Sequence, residues 1–498
     1  MKAFVVSLAY VFFTVPLLAG TINVKHYGAK GDGKTDDTKA IQAAIDAAWP
    51  SIKTVIYFPA GIYNIASYTT TTNYFENYSL LVHSNLDLKG DGEKTVIRVA
   101  DHIFDKIDTS ANAHLFYGRQ TQNISFSNMM IDLNGGNNLV PPNVIKNHCA
   151  IFTAHGNNYH IHNITIKNCP GSNMLIIMGT GNNLLIENCK FLNGGNYVGI
   201  PTPNKNQYDY SFVYTEWDST VVKNNLIQQQ NIDIGLGNYS GGIELHGSNS
   251  SAINNTIEGC WPGIYISSSK NAGLKNVLVQ KNNIINCVTG ISFWLKNPMK
   301  DITIKNNNIT LTASRASKNK LCTGIMIPNG NAKEYNNKLA NAAPVTNLQI
   351  TDNIIYAQPM QMLSAGMILH SLQHSYVLNN TITGMTYSGV VLTASKWGMD
   401  SLIVNDNTFN NFRPYDDKKT ATGYVVITDT YSKNVKDAPG FKNIIFSNNK
   451  FLHKKTDSAK EKFSGAFIYV LLDNLKEIKF KNNYYSDASE KTQVIRTN

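Results

Sequence analysis

The chain has 498 residues, 42% hydrophobic and 16% charged, with 44 Lys and Arg against 34 Asp and Glu and a formal charge of +10. The basic residues are scattered, with no stripe interleaved with aromatics, which argues against nucleic acid and favours an acidic polysaccharide drawn by long-range attraction. Length alone suggests two or three domains, but a repeat array grows by adding units and escapes that limit.

Residues 1–20 open with Lys2, continue through the apolar run Ala3 to Leu18 and end in the small residues Ala19 and Gly20. This pattern predicts a secretory signal cleaved near Gly20, and hence a secreted or periplasmic protein. The run contains Pro16 and is barely long enough to span, and no later stretch could cross a bilayer, so no stable membrane insertion is expected. Residues 21–90 are predicted as an N-terminal cap with the first strands. Within them a polar loop, Gly28 to Thr38, precedes Lys39 to Trp49, whose apolar residues recur at helical spacing until Pro50 stops it. Asp36, Asp37 or Thr38 can accept hydrogen bonds from the first free amides of that helix, so Asp32, Asp36 and Asp37 are expected as turn and cap residues. A short amphipathic helix suits the start of a solenoid, whose first coil otherwise exposes an apolar end.

Residues 91–490 carry two recurring segments. One is a pair of Asn residues, a variable residue and an apolar one, as in Asn224-Asn225-Leu226-Ile227, Asn254-Asn255-Thr256-Ile257 and Asn379-Asn380-Thr381-Ile382. The other is Gly followed by alternating apolar residues, as in Gly242-Ile243-Glu244-Leu245-His246, Gly263-Ile264-Tyr265-Ile266-Ser267 and Gly290-Ile291-Ser292-Phe293-Trp294. Self-similarity at about 20 to 40 residues marks a solenoid, and short β units between turns select a parallel β-helix. The predicted fold is all-β, a single-stranded parallel β-helix with a short N-terminal capping helix, ending in a tail over 491–498. The Asn residues are expected to stack in the turns, amide to amide. Six cysteines, at positions 149, 169, 189, 260, 287 and 322, lack metal-ligand spacing. Cys169 with Cys189 and Cys260 with Cys287 occupy matching repeat positions, expected as stacked buried thiols, with a disulfide left open by export. No metal and no cofactor are expected.

The run GDGKTDDTKAIQAAIDAA followed by VIYFPAGIY resembles the entrance of the pectate lyase superfamily, a group that includes relatives of polygalacturonases (glycoside hydrolase family 28) and of phage tailspike depolymerases. The specific likeness covers Thr21 to Ile65. It implies a right-handed parallel β-helix acting on a polysaccharide and leaves the reaction open. The Asn-Thr-Asp, Gly-His-Gly and Arg-Ile-Lys segments of a polygalacturonase site are absent, and Asp416-Asp417 sits in what reads as a turn.

Strand residues alternate between core and exterior, so each Gly-led segment sorts itself. Ile243, Leu245, Ile264, Ile266, Ile291 and Phe293 face inward; Glu244, His246, Tyr265, Ser267, Ser292 and Trp294 face outward, with Lys296 just beyond. A 30-residue offset between successive Asn-Asn blocks puts Tyr214 beneath Glu244 and Glu216 beneath His246. Glu216 and Glu244 then lie on a diagonal about 8 Å long, within the carboxylate separation of inverting glycosidases. The leading expectation is a glycoside hydrolase with Glu244, Glu216 and His246 as catalytic residues and Tyr214, Tyr265, Trp294, Lys296 and Asp218 binding substrate. Trp217 and Trp261 are placed at the border of the cleft, Asp209 and Asp233 in adjoining loops as reserve carboxylates, and His370 with Lys396 on ordinary surface. One rival is a uronate lyase or epimerase using His246 with Tyr214 or Tyr265, Lys296 neutralising the uronate; carboxylates are too sparse for a calcium-dependent version. A non-catalytic glycan-binding solenoid is the other. The sequence leaves the oligomeric state open.

Overall fold

The computed structural model describes residues 20–71, 76–103, 112–138, 148–171, 173–194, 211–229, 241–268, 273–311, 321–328, 343–358, 363–394, 397–412, 423–429, 440–453, 466–471, 476–486 and 495–497. Residues 1–19, which carry most of the expected signal, lie outside them, as do Asp209, Asp233, Lys396, Asp416 and Asp417.

Each coil contributes one strand to a 15-stranded sheet and, in most coils, two short strands to a 29-stranded sheet. Pairing is parallel throughout the described strands except where Thr69–Thr70 meets the strand Glu76–Leu81. The inward residues make one continuous apolar core: Ile243, Leu245, Ile264, Ile266 and Ile291 are fully buried. Where the Gly-led segments stack, successive backbones approach too closely for a side chain. A Cβ on Gly242 would lie 2.3 Å from the carbonyl of Gly263, and one on Gly324 would lie 2.5 Å from that of Gly366.

The Asn pairs divide their labour at the bend between the two short strands of a coil. The first residue adopts a left-handed backbone, φ 58° at Asn224 and 53° at Asn254, which a short polar side chain tolerates. The second points into the core. From Asn225 through residues 255, 282, 307, 353, 380, 407 and 449 to Asn483, each side-chain Nδ2 donates to the Oδ1 of the next at 2.9 to 3.0 Å. The same nitrogens donate to core-strand carbonyls, such as Ile186 O from Asn225 and Val279 O from Asn307. Stacked side-chain amides thus bond both to one another and to buried backbone carbonyls of the neighbouring strands.

At the N-terminus the helix Thr38–Asp46 buries Ile41, Ala44 and Ile45 against the first coil. It ends before the expected boundary, and Trp49 beyond it is 71% exposed. Asp36 accepts from the Thr38 amide at 3.0 Å, Asp37 from the Lys30 and Gly31 amides, and Asp32 from the Lys34 and Thr35 amides. These three carboxylates serve turns and a cap.

Two expectations need correction. Cys169 and Cys189 do not stack: Lys190 lies opposite Thr165, which puts Cys189 one residue earlier, level with Ile164, whereas the Cys169 thiol donates to His148 O. All six cysteines are free and buried; Cys260 and Cys287 are neighbours, the Cys260 amide lying 3.4 Å from the Cys287 sulfur. The expected tail contains a strand, Ile495–Thr497, paired in parallel with Ala466–Leu471. An exposed strand edge offers unpaired amides and carbonyls that a further segment of chain can use.

Candidate active site on the outer wall of the smaller sheet

Four neighbouring strands of the smaller sheet, Ser211–Thr215, Gly241–Leu245, Ile264–Ser267 and Thr289–Trp294, carry the wall. Their register sets Tyr214 beside Glu244, Glu244 beside Tyr265, Tyr265 beside Ser292, and Ser267 beside Trp294. Just past the strand end the His246 amide donates to Thr215 O, keeping His246 level with Glu216.

Glu244 accepts from Ser211 Oγ through Oε2 and from His246 Nε2 through Oε1, both at 2.8 Å. Glu216 accepts from the Tyr214 hydroxyl through Oε1 at 2.5 Å and from the Gly179 amide through Oε2 at 2.6 Å. The Tyr214 and His246 rings lie 4.8 Å apart, tilted by 47°. Tyr214, Glu216, Glu244 and His246 are all buried. The wall therefore holds two carboxylate-centred units, Ser211–Glu244–His246 and Tyr214–Glu216–Gly179, in contact through the Tyr214 and His246 rings. His246 stands level with Glu216 as expected, but its imidazole bonds the Glu244 carboxylate two residues back along its own chain. Residues two apart share a face, and the imidazole reaches back along it.

Tyr265 and Trp294 are half-buried and meet edge to face, 6.4 Å apart. Lys296 is exposed just beyond its strand. Asp218 is not on the wall: it begins the strand Asp218–Lys223 of the larger sheet, beyond the corner, where its carboxylate accepts from the Ser248 amide at 2.7 Å. Trp217 does not border the cleft. It is fully buried, its indole NH donating to Met178 O, with its ring packed where a Cβ on Gly156 or Gly181 would clash. Trp261 also packs against the core, donating to Thr289 Oγ1. His370, expected on ordinary surface, is buried, and burial pushes its pKa down to about 3.

The same wall extends toward the N-terminus through residues the sequence reading passed over. Tyr117, Phe152, Ile176 and Tyr214 form one lateral row. Arg119, two residues past Tyr117, donates from Nε to the Tyr117 hydroxyl and from a terminal nitrogen to Glu76 at 3.2 Å, its guanidinium lying 5.4 Å from the Phe152 ring centre. Burial alone would raise the Glu76 carboxyl, but His114 and Arg119 outweigh it and hold it below the usual range. The His114 ring, stacked 4.4 Å from Phe152, has its pKa lowered by burial. The alternation around Tyr117 and Arg119 was the available signal; without a leading Gly, that strand did not stand out as a repeat. Among the described residues no group of three or more His, Cys, Asp or Glu could hold a metal ion. No helix among them is long and apolar enough to cross a membrane.

A family model described as rhamnogalacturonase A/epimerase, pectate lyase-like, matches residues 21–220, and one described as a right handed beta helix region matches residues 149–342. With the parallel coils, these matches make the chain a right-handed parallel β-helix protein, similar over residues 21–220 to the pectate lyase-like group.

Among individual proteins, it is 40% identical over 119 residues to alginate lyase 7 of Azotobacter vinelandii, 23% of this chain and 13% of that protein. It is 38% identical over 116 residues to mannuronan C5-epimerase AlgE2 of the same bacterium, 23% of this chain and 11% of that protein. It is 32% identical over 185 residues to plasmin and fibronectin-binding protein A of Streptococcus pneumoniae, 34% of this chain and 24% of that protein. Each match thus spans a quarter or less of the relative. Among solved structures, the A-module of A. vinelandii epimerase AlgE6 aligns with TM-score 0.50 and 16% identity over 94% of this chain and 100% of that one. A tailspike mutant of E. coli bacteriophage HK620, solved with a pentasaccharide, aligns with TM-score 0.61 and 14% identity over 96% of this chain and 80% of that one. At such identities these two structures speak for the fold.

Proposed function

We propose that the chain is an exported enzyme that acts on an acidic polysaccharide by removing the proton beside a uronate carboxylate, as a lyase or a C5-epimerase. The observation that carries this reading is the Glu244–His246 contact at 2.8 Å with the Tyr214 ring 4.8 Å from the imidazole. A carboxylate accepting from Nε2 fixes ring orientation and tautomer, and it stabilises the imidazolium formed when Nδ1 takes a proton. In this reading His246 is the base and Glu244 positions it. The electron pair left at C5 is stabilised as an enolate of the uronate carboxylate, whose charge Lys296 offsets. In elimination the C4–O4 bond breaks and Tyr214 gives its proton to the leaving oxygen. In epimerisation Tyr214 gives its proton to C5 on the face opposite His246, and solvent exchanges both groups back to their starting states. Glu216 positions Tyr214. Tyr265 and Trp294 offer flat surfaces to neighbouring sugars.

The hydrolytic expectation has weaker support. Hydrolysis asks for one protonated carboxyl at the leaving oxygen and a second open to water or the sugar. Here both oxygens of Glu216 and both of Glu244 are already engaged by protein donors. The relatives named alginate lyase and mannuronan C5-epimerase lean the same way.

The test is incubation with polyuronates and neutral glycans in D2O, read by NMR. Unsaturated uronate ends, or deuterium at an inverted C5, support the proposal provided His246→Gln abolishes them. New reducing ends with neither signal restore hydrolysis, and binding without products leaves a glycan-binding protein; both overturn it.

A further inference from the structure

On the outer face of the larger sheet, away from the wall just described, lies a groove of about 480 Å³. Its cause is a row of small residues between two rows of long ones. The strand Gln122–Asp132 sets Ser125 between Asp87 and His160, and Ser127 between Lys89 and His162, in register across three coils. Both serines are buried and form a floor, while Lys89 is exposed at the rim. Lys53 closes one end, its ammonium donating to Leu86 O at 3.1 Å and Asn123 O at 2.9 Å.

The charges in the groove are unevenly settled. The Asp87 carboxylate, which lines the groove, acts electrostatically on the Lys53 ammonium and the His162 ring. Glu187, one coil beyond His162, is met by His160 at 2.8 Å and by Lys223 at 3.0 Å, so both negative charges have basic neighbours within the protein. Among the described residues no ion pair or hydrogen bond engages the Lys89 ammonium. The His160 and His162 rings stack at 4.0 Å, a flat edge of ring nitrogens and carbons beside the serine floor. Hydroxyls and an unanswered ammonium suit a ligand that is both polyhydroxylated and anionic, while the Asn123 and Asn158 amides are tied into a surface ladder with Asn85 and Asn183. Single-stranded nucleic acid is disfavoured, because no Phe, Tyr or Trp lines the groove to stack its bases.

We propose that this groove is a second, non-catalytic binding site for an acidic glycan chain, seated on the serine floor with its anionic group on Lys89 and its hydroxyls on the His160–His162 edge. It is separate from the Glu244–His246 wall and does not depend on the chemistry assigned there.

The experiment is calorimetric titration of the full chain with polyuronate, dextran sulfate, neutral dextran and a single-stranded DNA oligonucleotide. It uses the wild type, the double variant Lys89→Ala/His162→Ala, and Ser127→Leu, which fills the floor from the sheet's outer face. The result expected is polyuronate or dextran sulfate binding that weakens at least about tenfold in both variants, as befits a lost charge-assisted contact or a blocked floor, with turnover of short substrates unchanged. Preference for one of the two polyanions identifies the anionic group. Unchanged anionic-glycan binding in folded variants, equal binding of neutral dextran, or tighter binding of DNA each overturns the proposal. Loss of turnover in His246→Gln with this binding intact separates the groove from the active-site assignment.

Discussion

Removing one rung from the asparagine ladder should cost more than its size suggests. Asn307 is 1% exposed; its Nδ2 donates to Val279 O and to Asn353 Oδ1, and its Oδ1 accepts from both the backbone and side-chain nitrogens of Asn282. In Asn307→Ala the Val279 carbonyl and the Asn282 amide lose the partner that side chain supplied, in a core that admits no water. At about 1 to 3 kcal/mol for each buried group left unpaired, the loss is about 2 to 6 kcal/mol. Asn307→Asp keeps the shape but removes both donors and sets a carboxylate against Asn353 Oδ1, so it should be at least as damaging at neutral pH. Asn483, the half-buried last rung, should cost under about 1 kcal/mol on truncation, because water can replace its partners. Guanidinium unfolding followed by circular dichroism measures all three. Asn307→Ala within about 1 kcal/mol of wild type, or Asn483→Ala as costly as Asn307→Ala, refutes the account.

Glu244→Gln should leave the fold intact and lower kcat by about two to four orders of magnitude, as expected when the partner of a general base is lost; steady-state kinetics on the substrate found by NMR checks this. Tyr214→Phe removes the hydroxyl held by Glu216 and should reduce kcat with little change in KM, whereas a purely structural role would leave kcat unchanged. Trp217→Ala should destabilise by about 3 to 5 kcal/mol, as for a fully buried Trp, against under about 0.5 for the exposed Trp49→Ala, both read by thermal unfolding. His148 and His370 are each depressed to about 3, chiefly by burial. Below pH about 6.5 the unfolded chain protonates these histidines while the folded one does not, so stability should fall with pH down to about 3, by about 1.4 kcal/mol per unit for each residue. His370→Leu should remove its share of that slope, measured as the shift in unfolding midpoint between pH 7 and pH 4.5.

Periodicity made the coil legible. The Gly-led segments and Asn pairs repeat because backbones pack closely at one point and amides stack at another, and both demands select residue types regardless of neighbours. The lateral pairing of Tyr214 with Glu244 followed from that period. Corners were less legible. Trp217 and Asp218 follow Glu216 directly, yet the chain turns there, taking the indole into the core and the carboxylate onto the other sheet. Asn168-Cys169 and Asn188-Cys189 look like equivalent dipeptides but occupy different bends of the coil, and composition does not distinguish one left-handed bend from another. Side-chain choices among near neighbours were also hidden: His246 had two carboxylates within reach, and only the geometry selects Glu244.

The intervals between rungs of the ladder are 30, 27, 25, 46, 27, 27, 42 and 34 residues, yet the amide contact is the same at every step. Coil length is thereby uncoupled from axial alignment: a circuit can gain roughly twenty residues on its perimeter and still return to the same anchor point. New surface loops can be grafted onto one turn without displacing the turns above and below, so ligand preference and scaffold integrity can be altered separately.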